Sequence, residues 1–299
     1  MSDMPLVNIG ELSKPATVLI EKISDAVGGI FKPYQIMRVA KAEVAAEQMR
    51  VQSQIQISDL QRRAMHRFLE EEAKKQTNIE GITQQALPHL EEKSSPEEME
   101  DDWITNFFDK CRIISDVEMQ GLWSHVLAGE ANSPGAFSKR TVNILADLDK
   151  NDAELFCRLC GFGWMMIGSV FTLIFDVTAN IYNQQGINFS TICHLESLGL
   201  VQFNSLSGYK RLGLPKQSSV LYYGRSVELN FPKDVDNELN LGNVLLTRAG
   251  QELAPICGSS VVNGFFEYVY DKWGDLLYVP KRTTEQPIDV APNRVDSGE

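Results

Sequence analysis

Apolar positions recur along this chain with periods that change from region to region. Between residues 12 and 31, Leu12, Ala16, Leu19, Ile20, Ile23, Ala26, Val27, Ile30 and Phe31 fall at steps of three and four. That spacing predicts one apolar stripe on a helix. Ser13 is placed to cap it and Pro33 to stop it. From Tyr34 to Leu87 there is no proline and the only glycine is Gly81, in a stretch of helix-forming Ala, Glu, Gln, Lys and Arg. Met37, Val44 and Val51 repeat at seven residues, and Ile57, Ala64 and Phe68 carry the stripe on in a shifted phase. A helix of that length would run about 75–80 Å, longer than a small domain is wide. It needs an extended surface to lie against. A second copy is the economical partner, with Met37, Val44, Val51, Ile57 and Phe68 as coiled-coil-like oligomerisation positions.

Residues 91–102 hold seven acids and one lysine and read as a linker, without the defined spacing of a metal site. Residues 103–156 read as short helices around Trp103, Ile104, Phe107, Phe108, Ile113, Leu122, Trp123, Val126 and Leu127. The turn Asn132-Ser133-Pro134-Gly135 separates two of them. Ser138 is a cap for the helix carrying Val142, Leu145 and Leu148, and Asp149 or Asn151 for the next. That helix leads into LCGFGWMMIGSVFTLIF, the seventeen uncharged residues from Leu159 to Phe175, so an apolar helix is expected over 155–175. A membrane-spanning helix wants about 20 apolar residues, so the run sits at the lower limit. It reads either as a buried core helix or as a segment stored in the fold and released into a bilayer. On the second reading Trp164, Met165, Ile167, Val170, Phe171 and Ile174 are the membrane-facing candidates, with Leu19, Ile20, Ile23, Val27, Ile30 and Phe31 as a second set.

The last hundred residues change texture. Asn188 to Leu198 reads as a helix with Phe189, Ile192, Leu195 and Leu198 inward, ended by Gly199. A strand follows at Leu200–Phe203, then a Gly/Ser/Lys-rich hairpin region, strand-like SVLYYGRSVELNF, a strand at Val244–Leu246 and a helix capped by Thr247. Helix, strand, two-stranded wing, strand and helix look like a winged helix. Val261 to Trp273 adds an aromatic closing helix, and residues 281–299 read as a disordered tail.

The expected architecture is therefore mainly α. An amphipathic segment (1–33) and a long oligomerisation helix (34–90) precede a helical core (97–183). A C-terminal winged-helix-like α+β domain (184–280) and the tail follow.

Charge narrows the function classes. Formal net charge is −12, against bulk attraction to nucleic acid or anionic lipid. The candidate reading helix offers Ser190, Thr191, His194, Glu196 and Ser197, with no positive charge. The wing offers Lys210, Arg211, Lys216 and Arg225 as candidate contacts to phosphate or a partner. Five cysteines form an odd set without framework spacing, and no export signal opens the chain, so reduced thiols in a cytoplasm are expected. Cys157 and Cys160 have CxxC spacing, and Cys193-His194 lies further on. Two thiols three apart on an apolar helix read as ordinary small hydrophobes before a metal or redox site. No nucleophile elbow, P-loop or dinucleotide fingerprint is present, and no catalytic residue, metal or cofactor is expected.

AKAEVAAEQ, QTNIEGITQQALPHL, DDWITNFFDKCRIISD, LWSHVLAGEANSPGAFSKRTVNILADLDKNDAELF and LTRAGQELAPIC resemble an uncharacterised bacterial family, a domain of unknown function met in bacterial and mobile-element genomes. The resemblance covers roughly residues 10 to 275. Element order together with Leu122, Trp123, Leu127 and Ala128 also resembles the abortive-infection alpha proteins, associated with defence against phage. This implies a non-enzymatic anti-phage protein that self-assembles on a viral trigger and disrupts the inner membrane, moving there from the cytoplasm. A winged-helix DNA-binding regulator and a non-membrane adaptor of a defence locus are the alternatives.

Overall fold

The computed structural model describes residues 12–27 and 59–278. Helix α1 (Lys14–Val27) buries Ala16, Leu19 and Ile23. It is tied to α3 (Asp101–Cys111) by a Lys22–Asp101 ion pair of 2.7 Å. Helix α2 (Asp59–Ala86) continues through a 3-10 turn at Leu87–His89. Helices α4 (Val117–Asn132), α5 (Lys139–Asp147) and α6 (Lys150–Cys160) complete the helical part.

Local chemistry accounts for the helix starts. The Asp116 carboxylate accepts from the backbone N–H of Glu118 and Met119 at α4, and Ser138 Oγ accepts from Thr141 N–H at α5. Asp149 and Asp152 form a reciprocal capping box at α6. An aromatic stack of Trp103, Phe107 and Trp123 locks α3 to α4, with ring centroids 5.1 and 5.2 Å apart.

The apolar run departs from the expected helix over 155–175. Helix α6 stops at Cys160, and the chain turns back as a hairpin of β1 (Gly163–Met166) and β2 (Ser169–Thr172). Three glycines, Gly161, Gly163 and Gly168, interrupt the run, and burial then alternates: Trp164 in, Met165 out, Met166 in. The run lacks charge because most of it is core. Phe162, Leu173 and Ile174 are fully buried. Among the described residues no helix is long and apolar enough to cross a membrane.

After a single helical turn α7 (Asn180–Asn183) and helix α8 (Phe189–Ser197), the C-terminal part is α+β. Strand β3 (Val201–Phe203) pairs antiparallel with β8 (Val244–Leu246), and the intervening chain forms β4 (Tyr209–Leu214), β5 (Gln217–Tyr222), β6 (Arg225–Asn230) and β7 (Asn237–Gly242). Strand β4 pairs with β7, while β5 joins a sheet of order β2-β1-β5-β6-β9, with β9 at Leu277–Tyr278. Phe189, expected inward, is exposed and meets the Phe203 ring edge-on at 5.4 Å, because Asn188 caps the helix just before it and turns it outward. Helix α9 (Arg248–Leu253) is capped by Thr247, and α10 (Phe265–Trp273) closes the sheet with Phe265 and Phe266 against Phe162 and Trp164.

The expected boundary between 183 and 184 is crossed by the β1–β5 pairing. Buried residues from Leu19 to Trp273 form one continuous core.

Candidate assembly face on α2

Helix α2 carries one apolar face with two different environments. At 100° per residue, Leu60, Ala64, Met65, Phe68 and Leu69 lie on the same side as Asn78, Ile79, Ile82, Thr83 and Ala86. The second group packs on the body: Asn78, Ile82, Thr83 and Ala86 are buried. The first group is in water. Leu60, Met65 and Leu69 are exposed, and Phe68 is 59% exposed.

Polar contacts fix where the body begins. Buried Asn78 donates to the Arg112 carbonyl at 2.8 Å and accepts from Gln120 Nε2 at 3.3 Å, and Gln120 Nε2 also donates to the Ile114 carbonyl at 2.8 Å. These bonds hold the inner half of α2 in register on α4. Glu72, Lys75 and Gln76 are half-buried at the transition, with a 2.6 Å Lys75–Glu72 pair. Outward from there α2 projects for about 20 Å, thirteen residues at 1.5 Å each.

The charges flanking the projecting half are ordered. Arg62, Arg63 and Arg67 come first, then Glu70, Glu71 and Glu72. Within the helix, Arg63 meets Asp59 at 3.3 Å and Arg67 meets Glu71 at 2.9 Å, exposed pairs worth about 0.3–0.5 kcal/mol each.

Of the expected oligomerisation positions, Phe68 lies on this face, and Met37, Val44, Val51 and Ile57 lie outside the described residues. Leu60, Met65 and Leu69 belong to the face and were not singled out by the sequence reading. The signal that finds them is the four-residue step from Met65 to Leu69 and from Leu60 through Ala64 to Phe68.

The proposed membrane sets divide. Leu19, Ile23, Trp164 and Ile174 are buried; Val27, Val170 and Phe171 are half-buried against the core and Ile20 is half-buried; Ile30 and Phe31 lie outside the described residues. Only Met165 and Ile167 are exposed. Ile167, at the β1–β2 tip, is held at φ 50°, a left-handed conformation unusual for a β-branched residue.

The four cations expected on a wing are largely neutralised, and the structure shows this region as an α+β layout without establishing a winged helix. Lys210 pairs with Glu238 and Lys216 with Asp234, both at 2.8 Å. The hydrogen bond from Lys210 holds the Glu238 carboxyl below its ordinary range. Arg225 lies 3.5 Å above the Phe266 ring and 3.8 Å from Glu267. Arg211 sits on β4 opposite Leu239.

These features define a mainly helical protein with a C-terminal α+β part and a projecting amphipathic helix. Residues 62–270 match the family described as protein of unknown function (DUF2806), and the chain belongs to that family. No curated protein and no solved structure matches the chain. The family region begins inside the projecting half of α2.

Proposed function

We propose that this is a non-catalytic, self-assembling interaction protein whose assembly element is the projecting half of α2, occupied by the same helix of a second copy. The observation that carries this is the single apolar face of α2, buried along its inner half and exposed along its outer half. Leu60, Met65, Phe68 and Leu69 are 69, 52, 59 and 43% exposed, so covering them in both copies returns about 7–13 kcal/mol, at about 1.5–3 kcal/mol per fully exposed side chain. That is of the same order as the roughly 4–15 kcal/mol lost in association freedom, so association depends on concentration. An antiparallel, isologous pair centred near Arg67 sets Met65 of one copy against Leu69 of the other and brings Arg62 level with Glu72 at the margin of the face.

Such an assembly is compatible with the phage-defence setting that the abortive-infection resemblance implies, with a trigger acting on association. Release of a spanning helix is no part of this reading, because the apolar run is hairpin and core. A DNA-reading wing has less support, since three of its four cations are paired within the chain.

Phe68→Asp tests the reading. By light scattering after size exclusion, the variant should run at monomer mass, keep the wild-type circular dichroism and melt as wild type does when diluted to single chains, because Phe68 is not among the buried core residues of its own chain. A variant that melts below the diluted wild type would show that the face is covered by the chain's own residues.

A further inference from the structure

Cys157 and Cys160 are three residues apart on α6 and share one face of that helix. Cys257 reaches them from the irregular segment that follows α9. Cys257 donates to the Ala254 carbonyl at 3.2 Å, lines the same pocket as Cys157, and interacts with both α6 thiols. Three of the five thiols thus converge from distant stretches of chain. Cys111 is buried elsewhere, on α3, and Cys193 sits on α8.

Two further features bear on what the cluster can do. Cys157 and Cys257 are both partly exposed and line a pocket of about 330 Å³ whose apolar wall includes Leu122, Phe156 and Leu253, a route for a small reagent. The segment bearing Cys257 is followed by Gly258 at φ 75°, with open space where a side chain would stand, and Tyr223 Oη meets Ser259 Oγ beyond it at 2.6 Å. It has room to make the small shift that closing an S–S bond requires.

We propose that Cys157 and Cys257 form a thiol–disulfide modification site that peroxide closes, stapling the end of α6 to the segment after α9. One thiol, as thiolate, attacks a peroxide oxygen; the O–O bond breaks, giving a sulfenic acid and water. The second sulfur then displaces the sulfenic oxygen, which leaves as a second water, and the S–S bond forms. The two thiols lose two electrons and two protons, and the peroxide accepts them.

The environment sets the speed. The hydrogen bond that Cys157 gives to Cys257, together with burial, pushes the Cys157 thiol up. The bond from Cys157 pulls Cys257 down, but contact with Cys160 and burial outweigh it and leave Cys257 pushed up to about 12. Neither sulfur is a standing thiolate at neutral pH, so closure is slow there and quickens with pH. This is the behaviour of a staple that answers sustained oxidation, and not of a catalytic dithiol.

The experiment exposes the folded full-length chain to hydrogen peroxide, blocks free thiols, and maps peptides by mass spectrometry without reduction. The expected product is one linked pair, Cys157 to Cys257, two hydrogens lighter than the free peptides and reopened by dithiothreitol. It should form faster at about pH 9 than at about pH 7, and melting should rise by several degrees because the link restrains the unfolded chain. Cys257→Ser and Cys157→Ser should each abolish the link and the melting shift, while Cys193→Ser keeps both. A Cys157–Cys160 link, over-oxidation of a single cysteine, or free thiols under conditions that oxidise the unfolded chain would overturn the proposal.

Discussion

Glu130 has almost no exposure, yet its carboxylate accepts the backbone N–H of Gly135 at 2.7 Å and of Phe137 at 2.8 Å. Burial pushes its pKa up, and the two amide hydrogen bonds only partly pull it back. The loop it holds, from Asn132 to Ser138, is clamped a second time by Glu252, which accepts from Ser138 N–H at 2.8 Å and from the Thr141 hydroxyl. Trp103 Nε1 donates to the Phe137 carbonyl at 2.6 Å. Removing the carboxylate strands the buried Phe137 amide at about 1–3 kcal/mol and leaves the exposed Gly135 amide to water at less, so Glu130→Ala should lose about 1–4 kcal/mol in urea unfolding. Glu130→Gln, which keeps one acceptor oxygen, should lose less. A near-neutral Glu130→Ala would mean the loop finds other partners. Some of this detail was legible in the residues alone. Ser138, Asp149, Asn188 and Thr247 are short polar side chains directly ahead of an apolar period, and each caps a helix. The clamp from Glu252 was not legible, because it bridges residues far apart in the chain.

At the scale of elements, the apolar run is the instructive case. Read for lack of charge, Leu159 to Phe175 looks like one buried or spanning helix. Its glycines and its period of two after Gly161 carry the actual outcome, a hairpin whose inward residues Trp164 and Met166 meet the core. Strand β2 lies at the edge of the five-stranded sheet, and an uncovered edge invites pairing with other chains. Gln251 of α9 covers it: its side-chain amide accepts from Val170 N–H at 2.9 Å and donates to the Val170 carbonyl at 2.6 Å, as a neighbouring strand would. Gln251→Ala should therefore lower the melting temperature and raise the aggregation rate on heating, followed by light scattering. Unchanged aggregation would mean that the edge is protected by something other than this amide. For α2 the pattern gave the helix and two positions of its face, Ala64 and Phe68. What it did not give is the point at which the face leaves the body, because Asn78 and Gln120 set that point through contacts between separate helices.

For the whole molecule, the division into a helical core and a separate winged domain gives way to one core shared by both, since β1 and β2 leave the helical part and pair into the C-terminal sheet. The net charge of −12 and the pairing of Lys210, Lys216 and Arg225 leave little free positive surface in that region. Among the described residues, Leu60, Met65, Phe68 and Leu69 set four exposed apolar side chains on one face of α2, and association through that face is the property on which the functional account rests. Sedimentation equilibrium of the wild-type chain measures it directly. The account predicts a mass near twice 33.5 kDa at micromolar concentration, falling to a single chain on dilution. A single-chain mass that persists to the highest soluble concentration would contradict it.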